Sequence, residues 1–307
     1  MDLRQLRSLV TLVECEFSVS RAAERLHLVQ SAVSQHLSRL EGELGVHLLR
    51  RHGKRLQGLT EAGEQVLAYA QRTLSDLRNI QDIGKEHTDQ ASGVLRIGTT
   101  HTQARYVLPT VIKAFRAAYP DVELQIHQGT PQQLVEMAAR EAVDFSICTE
   151  ALAEHPELVA IPCYRWNRCL IALPGHPLLQ HRRITLKSLC EHPLITYVFG
   201  FTGRGNFSGS FAKAGLTPRV VLSAADTDVI KTYVREGLGI GIIATLAYAS
   251  GEDDDLVMRD LSGLFPWEVT KIAYQKDKYL RQFQRRFVEL FQAFIDRQQK
   301  QSGMLSI

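Results

Sequence analysis

Nothing in this chain is long and apolar enough to cross a bilayer as a helix: its longest nearly apolar run, Leu238 to Ala249, spans 12 residues, where about 20 are needed. Cysteine is sparse, with five residues in all (Cys15, Cys148, Cys163, Cys169 and Cys190). They are odd in number and form neither a C-x-x-C pair nor a Cys/His cluster. That pattern speaks against a disulfide framework or a structural zinc site and leaves free thiols in a reducing compartment. The motifs of common enzyme classes are missing too: there is no G-x-S-x-G, H-E-x-x-H or P-loop. Gly237-Leu238-Gly239-Ile240-Gly241 resembles half of a dinucleotide fingerprint. Its flanks read as a helix before and a strand after, the reverse of what that motif requires, so Gly237 reads as a helix C-cap. The acid run Glu252-Asp253-Asp254-Asp255 has no second set of ligands and is expected to be a solvated loop. His101 stands among threonines with no acid or nucleophile in view to make it a base. Catalysis, a metal and a cofactor are therefore all expected to be absent. The charged opening Met1-Asp2-Leu3-Arg4 lacks the apolar centre of a secretory leader, from which a cytoplasmic, membrane-free protein is expected.

What is present is a charge asymmetry. The net charge is +3, from 36 Lys/Arg against 33 Asp/Glu. Residues 1–60 hold nine of the cations (Arg4, Arg7, Arg21, Arg25, Arg39, Arg50, Arg51, Lys54, Arg55) against six acids, and no acid occurs between Leu44 and Thr60. The whole excess sits in the first fifth of the chain, as a polyanion-binding head requires. Leu3, Leu6, Leu9, Val10 and Val13 recur at helical spacing, and Ser18 or Ser20 can cap a second helix that buries Ala22, Ala23 and Leu26. His27-Leu28-Val29 reads as a tight turn. A third helix from about Gln30 to Glu41 turns Ala32, Val33, Leu37 and Leu40 inward, leaving Gln30, Ser31, Ser34, Gln35, Ser38 and Arg39 outside. Short polar donors and acceptors on an outer helix face are what a major-groove reader needs. Arg50, Arg51, Lys54 and Arg55 then flank His52-Gly53 in a basic hairpin, a wing for phosphate contacts.

Ala22-Ala23-x-x-Leu26, Ser34, Leu40-Glu41-x-Glu43-Leu44-Gly45 and Leu59-Thr60-Glu61-Ala62-Gly63 resemble the winged helix-turn-helix of LysR-type transcriptional regulators. The resemblance implies promoter DNA as a partner, with RNA polymerase as a further one. The chain departs from the family pattern at Val29, Gln30 and Ser31, where Ser/Thr, Gln and Pro are usual, and at Gln35, where a cation is usual. Without the proline, the helix start is expected to move toward Ser31 as its cap. Gln35 trades a guanine-type or phosphate contact for an adenine-type one.

Thr60 caps a long helix with Glu61 and Glu64 in its first turn, and Leu67, Ala70, Leu74, Leu77, Gln81 and Gly84 follow a 3-4-3-4-3 spacing. That stripe reads as a two-helix dimer seam, which in the resembling family pairs two DNA-binding heads. A polar stretch, 88–93, reads as a hinge.

From Val94 onward strands and helices alternate, which predicts mostly parallel sheets covered by helices. A helix is expected over Gln103–Ala118, and Thr270–Tyr274 is expected to return as a closing strand. Two lobes with a cleft follow, and ligands bind at the carboxyl ends of such strands. The whole is an α/β chain in four parts: a winged helix-turn-helix (1–60), a linker helix (61–87), a hinge (88–93) and a two-lobed, periplasmic-binding-protein-like effector domain (94–307). Lobe I takes about 94–164 and 269–300, and lobe II about 165–268. Strand ends place Thr100, Thr102 and Gln103 after the first strand and Thr149-Glu150 at the crossover. Thr202 and Arg204 precede a helix of the second lobe, and Asp226-Thr227-Asp228 opens another. Hydroxyls and backbone N–H groups converging there form a seat for a small oxygen-rich or anionic ligand.

Four stretches resemble the CysB branch of that family, which regulates sulfur assimilation and cysteine biosynthesis: Thr99-Thr100-His101-Thr102-Gln103-Ala104-Arg105-Tyr106, Pro162-Cys163-Tyr164-x-Trp166-Asn167-Arg168, Phe199-Gly200-Phe201-Thr202-Gly203-Arg204 and Asp228-Val229-Ile230-Lys231-Thr232-Tyr233-Val234. This resemblance implies acetylserine or a sulfur oxyanion such as sulfate or thiosulfate as effector, contacted by Thr100, Thr102, Gln103, Thr149 and Thr202. It also implies a dimer or tetramer of identical chains. Two alternatives remain open at this level: a paralogous regulator with other promoters or an effector such as adenosine phosphosulfate, and a two-lobed solute-binding protein.

Overall fold

The computed structural model describes residues 1–53, 55–88, 91–152, 155–198 and 204–302, without the side chains of 204 and 295–302. It divides into two compact units, Met1–Thr88 with Asp277–Tyr279, and Asp89–Lys276 with Leu280–Ile307.

In the first unit, α1 (Leu3–Glu14), α2 (Val19–Arg25) and α3 (Gln30–Leu44) precede β1 (Leu49–His52), β2 (Arg55–Leu59) and α4 (Glu61–Thr88). Asp2 caps α1 in a capping box with Gln5. The fully buried stripe of α1 is Leu9 and Leu12, while Leu3 is exposed. Of the two candidate serines, Ser18 caps α2, accepting from the Arg21 N–H. The expected shift of α3 toward Ser31 does not occur. The helix begins at Gln30 behind Val29, which offers no capping side chain. The N–H groups of Ala32 and Val33 bond to the Val29 carbonyl, and complete burial of Val33 and Leu40 fixes the helix phase. The helix stops at Gly45, whose left-handed φ of 70° suits glycine. Strands β1 and β2 pair antiparallel with an irregularity between Arg50 and Arg51. A Cβ on Gly63 would lie 2.1 Å from the Leu48 carbonyl oxygen, so only glycine lets the first turn of α4 close on the wing.

The stripe expected to be a free dimer seam is partly spent. Ala70 is buried in the core of the head and Leu67 packs against that core, because the first turns of α4 must cover α1 and the wing. The large apolar side chains that α4 leaves exposed are Tyr69, Ile80 and Ile83.

The second unit contains two five-stranded sheets. The first lobe holds β3 (Gly93–Thr99), α5 (His101–Tyr106), α6 (Leu108–Ala118), β4 (Val122–Gln128), α7 (Pro131–Ala139), β5 (Phe145–Cys148), β6 (Leu158–Trp166), β12 (Glu268–Gln275) and α11 (Gln282–Ser302). The second holds β7 (Arg168–Ala172), α8 (Leu186–Cys190), β8 (Leu194–Tyr197), α9 (Arg204–Lys213), β9 (Val220–Ala224), α10 (Thr227–Arg235), β10 (Ile240–Ala244) and β11 (Val257–Asp260). Strand orders are β4-β3-β5-β12-β6 and β11-β7-β10-β8-β9. Each sheet is half parallel and half antiparallel, not mostly parallel: β3 runs with β4 and β5, while β12 runs against β5 and β6. The antiparallel half is the crossing between lobes, where β6 passes through Asn167 alone into β7 and β12 returns. The single helix expected over Gln103–Ala118 breaks at Val107 into α5 and α6. Pro109 has no N–H for the carbonyl four residues back, so the helix restarts around it. Phe115, Phe145, Phe287 and Phe291 fill the first core.

Candidate functional site

On α3, Val33, Leu37 and Leu40 point into the head, and Gln30, Ser31, Ser34, Gln35 and Arg39 are all exposed. Arg50, Arg51 and Arg55 are exposed on the wing strands, and Lys54 lies outside the described residues. The three described wing cations are not equivalent. Glu41 of α3 is buried, and its Oε1 accepts from the Leu48 and Leu49 N–H groups at 2.8 and 3.1 Å. Its Oε2 lies 3.4 Å from Arg51. One carboxylate thereby ties the wing to α3, with the exposed Arg51 beside it. Sequence reading missed Glu41; the sole hint was that it is the last acid but one before the acid-free stretch.

In the second unit, Thr100, Thr102, Gln103 and Thr149 line one pocket, with Pro131, Glu150, Trp166, Ala244 and Leu246. Thr202 lies outside the described residues, as does the side chain of Arg204. Space in the pocket is about 300 Å³, its solvent mouth included. Thr100 occupies the N-cap position of α5, yet its hydroxyl makes no capping bond. It is therefore not consumed as a cap, the ordinary fate of such a threonine.

The other polar groups are held by a buried network. Thr149 Oγ1 accepts from the Trp166 indole N–H at 3.2 Å and lies 3.3 Å from Thr270 Oγ1. Gln103 Oε1 accepts from the Tyr164 hydroxyl, which orients the amide so that Nε2 is its other end. Burial pushes the Tyr164 phenol far above its ordinary range, so it stays a neutral donor. From the second lobe, the Tyr197 hydroxyl lies 2.7 Å from Thr227 Oγ1 and accepts from the Ala244 N–H at 3.1 Å. The described lining carries one carboxylate, Glu150, and no cation. Burial, with Glu150 adding to it, pushes the neighbouring Cys148 thiol up to about 12. Such a site offers hydroxyl, amide and indole dipoles to a small polar ligand; among the described lining residues it presents no nucleophile paired with a base.

Sequence reading missed Tyr164, Trp166, Tyr197 and Thr270 as parts of this site. Tyr164 and Trp166 gave a signal, as members of the stretch from Pro162 to Arg168 that resembles the family branch. Two expectations are corrected. His101 does have an acid near it, with Nε2 3.4 Å from Asp228 Oδ2. The acid run at 252–255 is not a solvated loop throughout. Asp253 is buried against Lys231 at 2.5 Å and Arg235 at 3.0 Å, and Arg235 also bonds Asp255 at 2.6 Å. Lys231 and Arg235, one turn apart on α10, present two cations that need a counter-charge.

Residues 3–64 match the family model described as bacterial regulatory helix-turn-helix protein, lysR family, and residues 88–295 match the LysR substrate binding domain. The chain is 43% identical over 297 residues to the HTH-type transcriptional regulator CysB of Haemophilus influenzae, covering 97% of this chain and 92% of that one. It is 42% identical to the regulator SsuR of Burkholderia cenocepacia, covering 95% and 94%. The crystal structure of the cofactor-binding domain of the Cbl transcriptional regulator superposes with a TM-score of 0.64 at 42% identity, covering 69% of this chain and 94% of that one.

Proposed function

The chain belongs to the LysR family of bacterial transcriptional regulators, and from that premise we propose that it controls sulfur-assimilation and cysteine-biosynthesis promoters in response to acetylserine or a sulfur oxyanion. It binds duplex DNA through the outer face of α3 (Gln30, Ser31, Ser34, Gln35, Arg39) and the wing (Arg50, Arg51, Lys54, Arg55). The bases are read from the helix and the phosphates are held by the wing. The effector binds Thr100, Thr102, Gln103 and Thr149, joined by Thr202. The protein acts in the cytoplasm as a dimer built on α4 and a tetramer through its effector domains, and it recruits RNA polymerase at the promoter. Ligand closes the two lobes on one another and shifts an existing conformational equilibrium, without chemistry.

The observation that carries this reading is the pocket itself, in which Thr100, Thr102, Gln103 and Thr149 converge and Gln103 and Thr149 are held in place by Tyr164 and Trp166.

Calorimetry on the full chain with acetylserine, sulfate and thiosulfate tests the reading, alongside band shifts on cysteine-gene promoter DNA. Wild type is expected to bind at least one of these ligands. Thr102→Ala should weaken that binding about tenfold, the order of one lost hydrogen bond, with ligand-free DNA affinity unchanged. Full ligand affinity in Thr102→Ala together with lost DNA binding would overturn the assignment.

A further inference from the structure

Helix α5 carries two sets of side chains with different destinations. Thr102 and Gln103 are buried and line the pocket. His101, Arg105 and Tyr106 reach the second lobe. The Tyr106 hydroxyl donates to Asp228 Oδ1 at 2.6 Å and accepts from Lys231 Nζ at 3.0 Å. Its ring packs against the second-lobe cluster containing Ile230 and Val234, and the Lys231 ammonium lies 4.8 Å from the ring centroid. Behind Lys231 stands Asp253, gripped from its other side by Arg235.

The remaining links from α5 are weaker. Arg105 meets Glu252 at 3.0 Å with both side chains more than half exposed, where water and salt screen the pair. His101 and Arg105 lie 3.4 and 3.8 Å from Asp228, beyond good hydrogen-bond length. The buried arm from Tyr106 through Lys231 to Asp253 is therefore the firm attachment. Tyr106, Asp228 and Lys231 do not line the pocket. They hold the same short helix whose Thr102 and Gln103 do.

We infer that Tyr106 is a positioning residue for effector binding: by fastening α5 to α10 it holds Thr102 and Gln103 opposite the second-lobe wall of Ala244 and Leu246, and so sets the fraction of protein ready to take the ligand. The inference rests on the effector reading of the pocket. Its arithmetic is that of a partly populated competent state, in which apparent affinity falls in proportion to the competent fraction. Tyr106→Phe keeps the ring packing and removes only the two hydroxyl bonds. It is expected to lower the competent fraction about tenfold and to raise the apparent dissociation constant by the same factor, without removing any atom that touches ligand.

The test titrates the full-length chain with acetylserine, and with sulfate as second probe, in wild type, Tyr106→Phe, Asp228→Ala, the double variant and Thr102→Ala. Tyr106→Phe should weaken binding about tenfold and Asp228→Ala by less, and the double variant no more than Tyr106→Phe alone, because the bond to Asp228 is one of the two that Tyr106→Phe already removes. Small-angle scattering supplies a readout that loose packing would not reproduce. At saturating ligand Tyr106→Phe should reach the wild-type radius of gyration, and at wild-type half-saturation it should remain expanded. Should Tyr106→Phe fail to fold, the half-exposed Asp228→Ala carries the same expectation at smaller magnitude. Wild-type affinity in both single variants while Thr102→Ala loses binding overturns the positioning role alone. Full binding in Thr102→Ala, or no binding of either probe to wild type, overturns the pocket reading and this inference with it.

Discussion

The side chains proposed to meet DNA stand in solvent: Gln30, Ser34, Gln35 and Arg39 are exposed along α3, on a helix whose other face is clamped by Val33, Leu37 and Leu40. Those in the effector domain are the reverse. Thr102 and Gln103 are nearly inaccessible, and Gln103 and Thr149 are already hydrogen-bonded to Tyr164 and Trp166. A reader of base edges can keep long side chains adjustable, since water and neighbouring bases complete whatever bond is missed. A cup for a molecule of a few atoms cannot, because ordering several side chains would cost as much as so small a ligand returns. Polar groups are exposed and adjustable in one unit, and buried and preorganised in the other.

The largest expected effect strikes the buried side of that contrast. Glu268, at the start of β12, bonds Arg168 at the start of β7 at 3.1 Å and takes two bonds from Asn206, also at 3.1 Å. Glu268 and Arg168 are 5% and 2% exposed. Glu268→Ala removes the buried carboxylate that Arg168 and Asn206 bond and should destabilise the effector domain by about 3–5 kcal/mol. In the head, Glu16→Ala removes the pair with Arg21, whose side chains are 82% and 57% exposed, and should cost less than about 1 kcal/mol. Thermal unfolding of both variants measures the difference, and equal losses would break the contrast.

Gln35→Ala tests the exposed side at intermediate magnitude. It should cost about 1–3 kcal/mol of binding at one operator position and relax the preference there. Arg55→Ala should instead weaken binding to every sequence and lower the salt slope by about one. Competition band shifts across single-base operator variants, repeated at several salt concentrations, separate the two. A uniform loss for Gln35→Ala would move that residue from base reading to phosphate contact.

The two units were unequally legible. The exposed polar face of α3, the one proposed to read DNA, showed itself as a helical stripe without apolar residues, a local pattern. The pocket residues could be placed at strand ends, also locally, but the groups that hold them are distant in sequence: Tyr164 reaches Gln103 across 61 positions and Thr270 reaches Thr149 across 121. The same blindness misread the acid run, because nothing near Asp253 announces Lys231 on α10. Periodicity identified the apolar stripe of α4 without saying what covers it, and so assigned Leu67 and Ala70 to a partner helix when the head's own core takes them. Pro109 was a local signal given too little weight.

The smallest expected effect comes from the thiols, where burial works by withholding chemistry. Burial is the main cause that pushes Cys148, Cys163 and Cys169 from the ordinary thiol value of 9.0 up to about 12. At pH 7.5 the thiolate, the reactive form, is scarce in all three. A native-state titration with a disulfide reagent should leave all three unlabelled, reaching at most the partly accessible Cys190, and peroxide should not alter DNA binding. The same shifts make a statement about stability. Between the ordinary thiol value of 9.0 and about 12, the folded state keeps protons that the unfolded chain has released. Stability is therefore whole below pH 9 and declines as pH rises toward 12. Denaturant midpoints at pH 8 and pH 10.5 should show that decline, and replacing Cys163 with Ser should lessen it. Fast labelling of two or more thiols in the folded protein at pH 7.5 would mean that the effector domain opens far more readily than its buried polar network implies.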